Sequence, residues 1–261
     1  MGIDAQSDLV ATSARRSSRK TSARKPTRRI EVGVIAAAGK GTRAYPRTSF
    51  IPKPLFQFEK ETILQRNVAL QFEVLGVKKL FIIVGHLQEQ VILEIERIRK
   101  LYPDREIEIA QWTKQGLAAD VNSLRERIQG DFVLILGDEF YYQTNHRILK
   151  TEWQKQKKAD ALIAVLPSPL ISEIRKNYSV LLRGTRVQKL VEKPQTPPND
   201  LLGLGTYVFT PDFFTYFDKT PPSARSGVIE LTDVIDLMSR TGEVHATTLS
   251  GRYFNINSLA D

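Results

Sequence analysis

From Val32 onward, short apolar runs alternate with amphipathic stretches, and this order constrains the fold more than any other feature of the chain. Residues 32–38 are apolar throughout, as a strand buried on both faces must be. Ile63, Leu64, Val68, Phe72 and Leu75 recur at helical spacing across residues 62–75, with Thr62 placed to cap the N-terminus and Gly76 to end the helix. A strand follows at 80–84, then a helix at 88–101 with Ile92, Ile95, Ile98 and Leu101 on one face. Residues 107–111 read as strand, 118–128 as helix, and 132–136 as a short strand ending at Gly137-Asp138. Repeated strand and helix with short connections predict a parallel sheet covered by helices on both sides. Ligands of such sheets bind beyond the carboxyl ends of the strands. That rule brings Gly39 to Arg43, Gln111 and Asp138 to one edge, because each follows its strand directly.

Past residue 160 the pattern changes to strands at 161–166, 179–182, 187–191 and 202–209, separated by turns, with a hairpin signal at Arg183-Gly184. Helices return at 212–218 and 228–240, and a late strand at 244–249. No linker longer than 195–200 interrupts this body and no repeat divides it, so residues 30–261 read as one domain. At 41% hydrophobic the whole chain can bury one sizeable core.

Residues 1–29 differ in kind. They hold Arg15, Arg16, Arg19, Lys20, Arg24, Lys25, Arg28 and Arg29 against Asp4 and Asp8, so most of the formal net charge of +9 sits there. Without apolar periodicity this stretch is expected to be a disordered basic extension. An organelle transit segment suits its acid-poor, Arg- and Ser-rich composition, and a polyanion-binding arm suits its charge. Cysteine is absent, which excludes disulfides and thiolate metal sites and fits a reducing compartment. No apolar run approaches the roughly 18 residues of a spanning helix, and the N-terminus lacks the apolar core of a secretory signal. The expected location is cytoplasmic, with organelle targeting by the tail left open.

The chemistry concentrates after the first strand. Gly39 and Gly41 let backbone N–H groups face a ligand closely, since glycine tolerates positive φ and carries no side chain. Arg43 can fork onto phosphate oxygens, and Lys53 offers a compact charge whose backbone is restricted by Pro52 and Pro54. The spacing fits neither the Walker loop nor the dinucleotide fingerprint. A polyphosphate site accounts for the pattern better than a solvated basic loop. His86, His146 and His245 show no ligand spacing and read as surface or packing residues.

The run Gly39-x-Gly41-Thr42-Arg43-x2-Pro46-x-Thr48-x3-Pro52-Lys53-Pro54-Leu55 resembles the signature of the sugar-1-phosphate nucleotidyltransferases, the nucleotide-sugar pyrophosphorylases. Later motifs extend the resemblance in order from about Val32 toward the C-terminus. It implies an α/β, three-layer α/β/α, Rossmann-like nucleotidyltransferase fold with a mostly parallel mixed sheet. It implies an Mg²⁺-dependent reaction in which a sugar 1-phosphate attacks the α-phosphorus of a nucleoside triphosphate, expelling pyrophosphate. Arg43 would then steady the leaving pyrophosphate and Lys53 the charge at the α-phosphate, with Ala38, Gly39, Gly41 and Thr42 lining the nucleotide. Gln111, five residues before Gly116, looks like the base-reading glutamine; a carboxamide pairs with uracil or thymine, and the Gly116 backbone would serve the other carbonyl. UTP or dTTP is the expected donor.

Asp138 resembles the family's metal-binding aspartate, a hard oxygen ligand of the kind Mg²⁺ prefers. The closing segment Tyr253-Phe254-Asn255-Ile256-Asn257-Ser258 carries asparagine where many relatives have aspartate, and Asn255 or Asn257 would complete the metal site. Glu192-Lys193-Pro194 looks like the sugar-phosphate motif, and Gly205 and Glu230 fall at sugar-contacting positions. Tyr178-Ser179 stands for the usual Tyr-Gly pair, so the sugar pocket departs from that of glucose enzymes. The implied partners are a nucleoside triphosphate and a sugar 1-phosphate, with no membrane, nucleic acid only through the tail, and a homo-oligomer left open. Two rival readings are a phosphocholine-type cytidylyltransferase, against which Glu192-Lys193-Pro194 argues, and a non-catalytic nucleotide-sugar-binding regulator, motivated by the closing asparagines.

Overall fold

The first half of the chain folds as its periodicity dictates. In the computed structural model, which describes residues 28–168 and 170–255 (of Arg43 the backbone alone), the apolar run forms β1 (Val32–Ala37). A small hairpin, β2 (Gln57–Phe58) and β3 (Glu61–Thr62), leads into α1 (Ile63–Ala69), which Thr62 caps by accepting from Gln65 N at 3.0 Å. The helix continues as a π-helical turn over Leu70–Leu75 and stops at Gly76, whose φ of 77° is left-handed. Inside that turn Gln71 is buried and donates to Val34 O at 3.0 Å; Gly33 leaves the room, since a Cβ there would lie 1.8 Å from Gln71 Oε1. Next come β4 (Lys79–Val84), α2 (Gln88–Leu101), β5 (Glu106–Gln111), α3 (Leu117–Asn122), β6 (Phe132–Leu136) and β7 (Glu139–Tyr142). α3 is shorter than the 118–128 expected: Ser123 Oγ donates back to Asp120 O at 2.7 Å, and the chain breaks into turns there.

The second half comprises α4 (Arg147–Lys155), β8 (Ala161–Pro167), α5 (Ile171–Lys176), β9 (Tyr178–Arg183), β10 (Arg186–Glu192), β11 (Leu201–Phe209), α6 (Asp212–Lys219), α7 (Leu231–Thr241), β12 (Val244–Thr248) and β13 (Arg252–Asn255). β2, β3, β7, α4, α5 and β13 lie outside the elements expected from periodicity. The main sheet has nine strands in the order β5-β4-β1-β6-β11-β8-β12-β10-β9, with β11 also touching β9.

The mostly parallel sheet expected from the sequence is corrected here. β5-β4-β1-β6 and β8-β12 are parallel, whereas β6-β11, β11-β8, β12-β10, β10-β9 and β11-β9 are antiparallel, as are the pairs β7-β13 and β2-β3. Antiparallel pairing is in the majority. Parallel neighbours need a crossover of about a dozen residues, usually a helix. Only Gly184 and Thr185 separate β9 from β10, so that connection can make only a hairpin.

Two cores lie on opposite faces of this sheet, which gives three layers. α3, α6 and α7 cover one face through Val121, Phe213, Val234 and Met238. α1, α2 and α4 cover the other through Leu64, Ile95, Leu149 and Trp153. Among the described residues, no helix is long and apolar enough to cross a membrane.

Most of the basic extension, residues 1–27, lies outside the described residues. Arg28, expected to belong to it, instead belongs to the body: its guanidinium lies 3.7 Å from the centroid of the Trp153 ring and donates to the carbonyls of Gln156 (2.7 Å) and Ala159 (2.8 Å) and to Asp131 (3.2 Å). Arg28→Ala should destabilise the protein by about 2 kcal/mol, because a desolvated cation–π contact and several charged hydrogen bonds go together. A Tm about 4–8 °C lower in thermal unfolding is the expected reading, and a shift below about 1 °C would show the contact to be idle.

Candidate active site

The turn after β1 and the turn after β6 meet because Gly137 has no side chain. Its N–H donates to Ala36 O at 2.9 Å, and a Cβ would lie 2.7 Å from that oxygen. This close approach sets Asp138 beside the glycine turn. Lys53 reaches it from a 3₁₀ turn, Lys53–Leu55, and pairs Nζ to Asp138 Oδ2 at 3.0 Å. The lysine is only 5% exposed. Gly41, at φ 62°, packs on the Lys53 stem, and a Cβ would come within 3.0 Å of Lys53 Cε. Thr48, fully buried, donates to Gly41 O at 2.9 Å, and His86 Nε2 meets Thr48 O at 2.9 Å. The glycine turn is therefore tied from two sides.

A cavity of about 590 Å³ opens here, lined by Ala36–Gly41, Lys53, Pro54, Trp112, Lys114, Gly116, Leu117, Asp120, Leu136 and Asp138. That volume suits a nucleotide-sized ligand. Of the residues expected to hold the nucleotide, Ala38, Gly39, Gly41 and Gly116 line it, as do Lys53 and Asp138. Thr42 opens the short 3₁₀ turn beyond Gly41 and is not among the lining residues. The expectation for the Arg43 side chain lies outside the described residues. Gln111 is exposed and does not line the cavity. Alternation along β5 explains this: Ile107 and Ile109 pack toward α2, Ala110 toward α3, so Gln111 shares the face of Ile109 and the next residue that of Ala110.

Beside Asp138, Glu139 turns inward. It accepts hydrogen bonds from the Tyr141 hydroxyl, from Gly205 N at 2.7 Å and from the Tyr253 hydroxyl at 2.9 Å. Burial pushes its carboxyl up to about 7, with the neighbouring Asp138 charge adding to the rise and the Tyr141, Tyr253 and Gly205 donors opposing it. Gly205 therefore spends its N–H on Glu139, and it is buried. That arrangement leaves its amide no donor for a sugar hydroxyl.

Across the β7-β13 ladder, Asn255 stands opposite Glu139. Its Nδ2 donates to Asn177 Oδ1 at 3.5 Å, while its Oδ1 is buried with no hydrogen-bond partner. An orphaned hard oxygen in the residue paired with the neighbour of Asp138 fits a divalent cation held by one carboxylate, one amide and substrate phosphates. Among the described residues no cluster of three His, Cys, Asp or Glu side chains could hold a metal. Asn257 lies outside the described residues.

Asn177 also ties in the second motif, for its carbonyl accepts from Lys193 N at 2.7 Å. Lys193 takes a left-handed φ of 44° and pairs with Glu192 at 3.2 Å. Glu192 and Glu230 are joined through Arg225, at 3.4 and 3.8 Å. Contacts thus run from Lys53 to Asp138, and from Asn255 through Asn177 to Lys193, although Glu192, Lys193 and Glu230 do not line the cavity itself.

Sequence reasoning missed Trp112, Lys114, Asp120 and Arg225. Strand alternation past β5 would have found the first. None of the three histidines joins the site: His86 buttresses the loop, His146 is buried and pushed down to about 3 by burial, and His245 pairs with Glu243.

The family described as nucleotidyl transferase matches residues 32–253. A UTP–glucose-1-phosphate uridylyltransferase of Haloferax volcanii is 32% identical over 230 residues, covering 87% of this chain and 92% of that protein. A UTP–glucose-1-phosphate uridylyltransferase of Staphylococcus saprophyticus is 27% identical over 259 residues, covering 88% of each. In fold, the chain is similar to a UDP-glucose pyrophosphorylase solved with UDP-glucose, at a TM-score of 0.77 and 21% identity, over 88% of this chain and 95% of the other. With the family match spanning the whole cavity and its supporting strands, the chain belongs to the nucleotidyl transferase family.

Proposed function

We propose that this protein transfers a uridylyl or thymidylyl group from UTP or dTTP to a sugar 1-phosphate, with glucose 1-phosphate the first acceptor to try. The observation that carries the reading is Lys53, a buried cation fixed on Asp138 at the mouth of a cavity floored by a glycine turn. A phosphate oxygen of the sugar 1-phosphate attacks the α-phosphorus, the bond to the oxygen bridging the α- and β-phosphorus breaks, and pyrophosphate leaves. Such chemistry asks little of the protein beyond alignment and neutralisation of charge. Lys53 neutralises charge at the α-phosphate, and the Gly39–Gly41 backbone and Arg43 hold the departing phosphates. Lys193 holds the phosphate of the sugar 1-phosphate, and Glu192 and Glu230, braced by Arg225, accept hydrogen bonds from the sugar hydroxyls. Asp138 and Asn255 are the residues that would hold Mg²⁺, which when bound supplies further neutralisation of the phosphates. The names of the relatives support UTP as donor and glucose 1-phosphate as acceptor.

Pyrophosphate release from UTP, dTTP, CTP and ATP, each with glucose 1-phosphate or phosphocholine, tests the reading. Turnover is expected with the pyrimidine donors UTP or dTTP and the sugar phosphate, lost with EDTA and restored by Mg²⁺. Turnover only with CTP and phosphocholine, or nucleotide binding without turnover, would overturn it.

A further inference from the structure

We infer that Trp112 is the face on which the base of the bound nucleotide stacks, an assignment that rests on the nucleotidyltransferase reading above. Trp112 continues the β5 ladder, its N–H donating to Val84 O at 3.0 Å, and packs with the core on the α3 side of the sheet, where the cavity lies. It is the one aromatic side chain among the described residues lining that cavity; the apolar remainder is alanine, proline and leucine.

The indole is held from behind. It rests on Gly85, where a Cβ would lie 2.6 Å from Trp112 Cδ2 and 2.9 Å from the Ala38 Cβ. The segment that follows is pinned by Asp120, which accepts from Thr113 N at 2.6 Å and from Thr113 Oγ1 at 2.7 Å. A ring fixed in this way loses little conformational freedom when a ligand lies on it.

Position in the sheet assigns its partner. β5 stands two strands from β1, with β4 between. At the usual spacing between strands, the ends of β5 and β1 are about 10 Å apart. A base over Trp112 therefore places ribose and α-phosphate back toward Gly39–Gly41, Lys53 and Asp138. Gln111, facing away, leaves affinity for the base to the ring. Stacking on an aromatic face tolerates any base, so choice among bases falls to polar groups around Gly116.

The test uses tryptophan fluorescence with UTP and, as a probe lacking a base, inorganic tripolyphosphate. The chain has two tryptophans, and Trp153 is fully buried in the opposite core, so it contributes a constant background. UTP should quench the wild-type emission saturably, and Trp112→Phe should abolish the quench while keeping the Kd, read calorimetrically, within about threefold. Trp112→Leu should raise the Kd for UTP about tenfold or more and leave that for tripolyphosphate unchanged. A purely structural role would weaken both ligands together. Equal loss for the two, or no quench at concentrations of UTP that saturate turnover, overturns the assignment while leaving the enzyme reading intact. Quenching by UTP without pyrophosphate release would keep Trp112 as the base platform and remove the proposed reaction. If UTP neither binds nor reacts, both fall.

Discussion

Lys53→Ala should lower turnover by about 10²- to 10³-fold at saturating substrates, the range seen when one preorganised charge donor is removed from a reaction centre. The physical reason is that Lys53 is held before substrate arrives. Its stem packs on Gly41, its ammonium rests on Asp138, and it is almost fully enclosed, so no reorganisation is required when charge develops at the α-phosphate. A water molecule entering in place of the side chain cannot supply a full charge there. Lys53→Arg should recover little, because a planar fork does not fit a space shaped around a point charge between Gly41 and Asp138. The Kd for UTP should move much less than turnover. Pyrophosphate release under single-turnover conditions measures the step directly, and a rate within about threefold of wild type would remove Lys53 from the chemistry.

Glu139→Ala should destabilise the protein by about 3–5 kcal/mol, since the Gly205 N–H and the Tyr141 and Tyr253 hydroxyls would lose their acceptor inside the protein. Glu139→Gln keeps one acceptor oxygen and the shape, and should cost about 1–2 kcal/mol. The pair also separates packing from ionisation. Glu139 sits at about 7 in the fold against 4.5 for a free glutamic acid, so the folded state keeps a proton that the unfolded chain has released between those values. Its contribution to stability is fully present below pH 4.5 and is lost as the pH rises through about 7. At about 1.4 kcal/mol for each pH unit, the loss is about 3 kcal/mol. Urea unfolding of wild type and Glu139→Gln at about pH 5 and about pH 8 checks this: the wild type should lose more stability across the window than the variant. Parallel behaviour of the two would mean that Glu139 is not the group responsible.

The elements with strong local patterns were legible along the chain. α2 was expected at 88–101 and is Gln88–Leu101, because a long amphipathic helix repeats its signal over several turns. Thr62 and Gly76 ended their helix as a cap and a left-handed stop, since both effects depend only on neighbouring backbone. The direction of the strands after β6 was not legible, because apolar runs carry no arrow. It took the two-residue link between β9 and β10 to impose a hairpin, and β11 then inserted antiparallel between β6 and β8. Arg28 was assigned to the tail for the same kind of reason: its partners Asp131, Trp153, Gln156 and Ala159 stand more than a hundred residues away.

At the site, the glycine turn and Asp138 could be named from their order because each follows a strand, and strand ends on one edge of a parallel sheet gather; Lys53 could be named from the prolines that flank it. Which way a side chain turns at such an end was a different matter. Gln111 and Trp112 differ by one residue and face opposite sides of the sheet; Asp138 and Glu139 differ by one residue, and one lines the cavity while the other is enclosed by tyrosines. Chemistry and order are properties of the chain, carried by residue type and short spacing. Facing, burial and ionisation belong to the folded molecule, because they depend on strands, loops and charges that only packing brings within reach of one another.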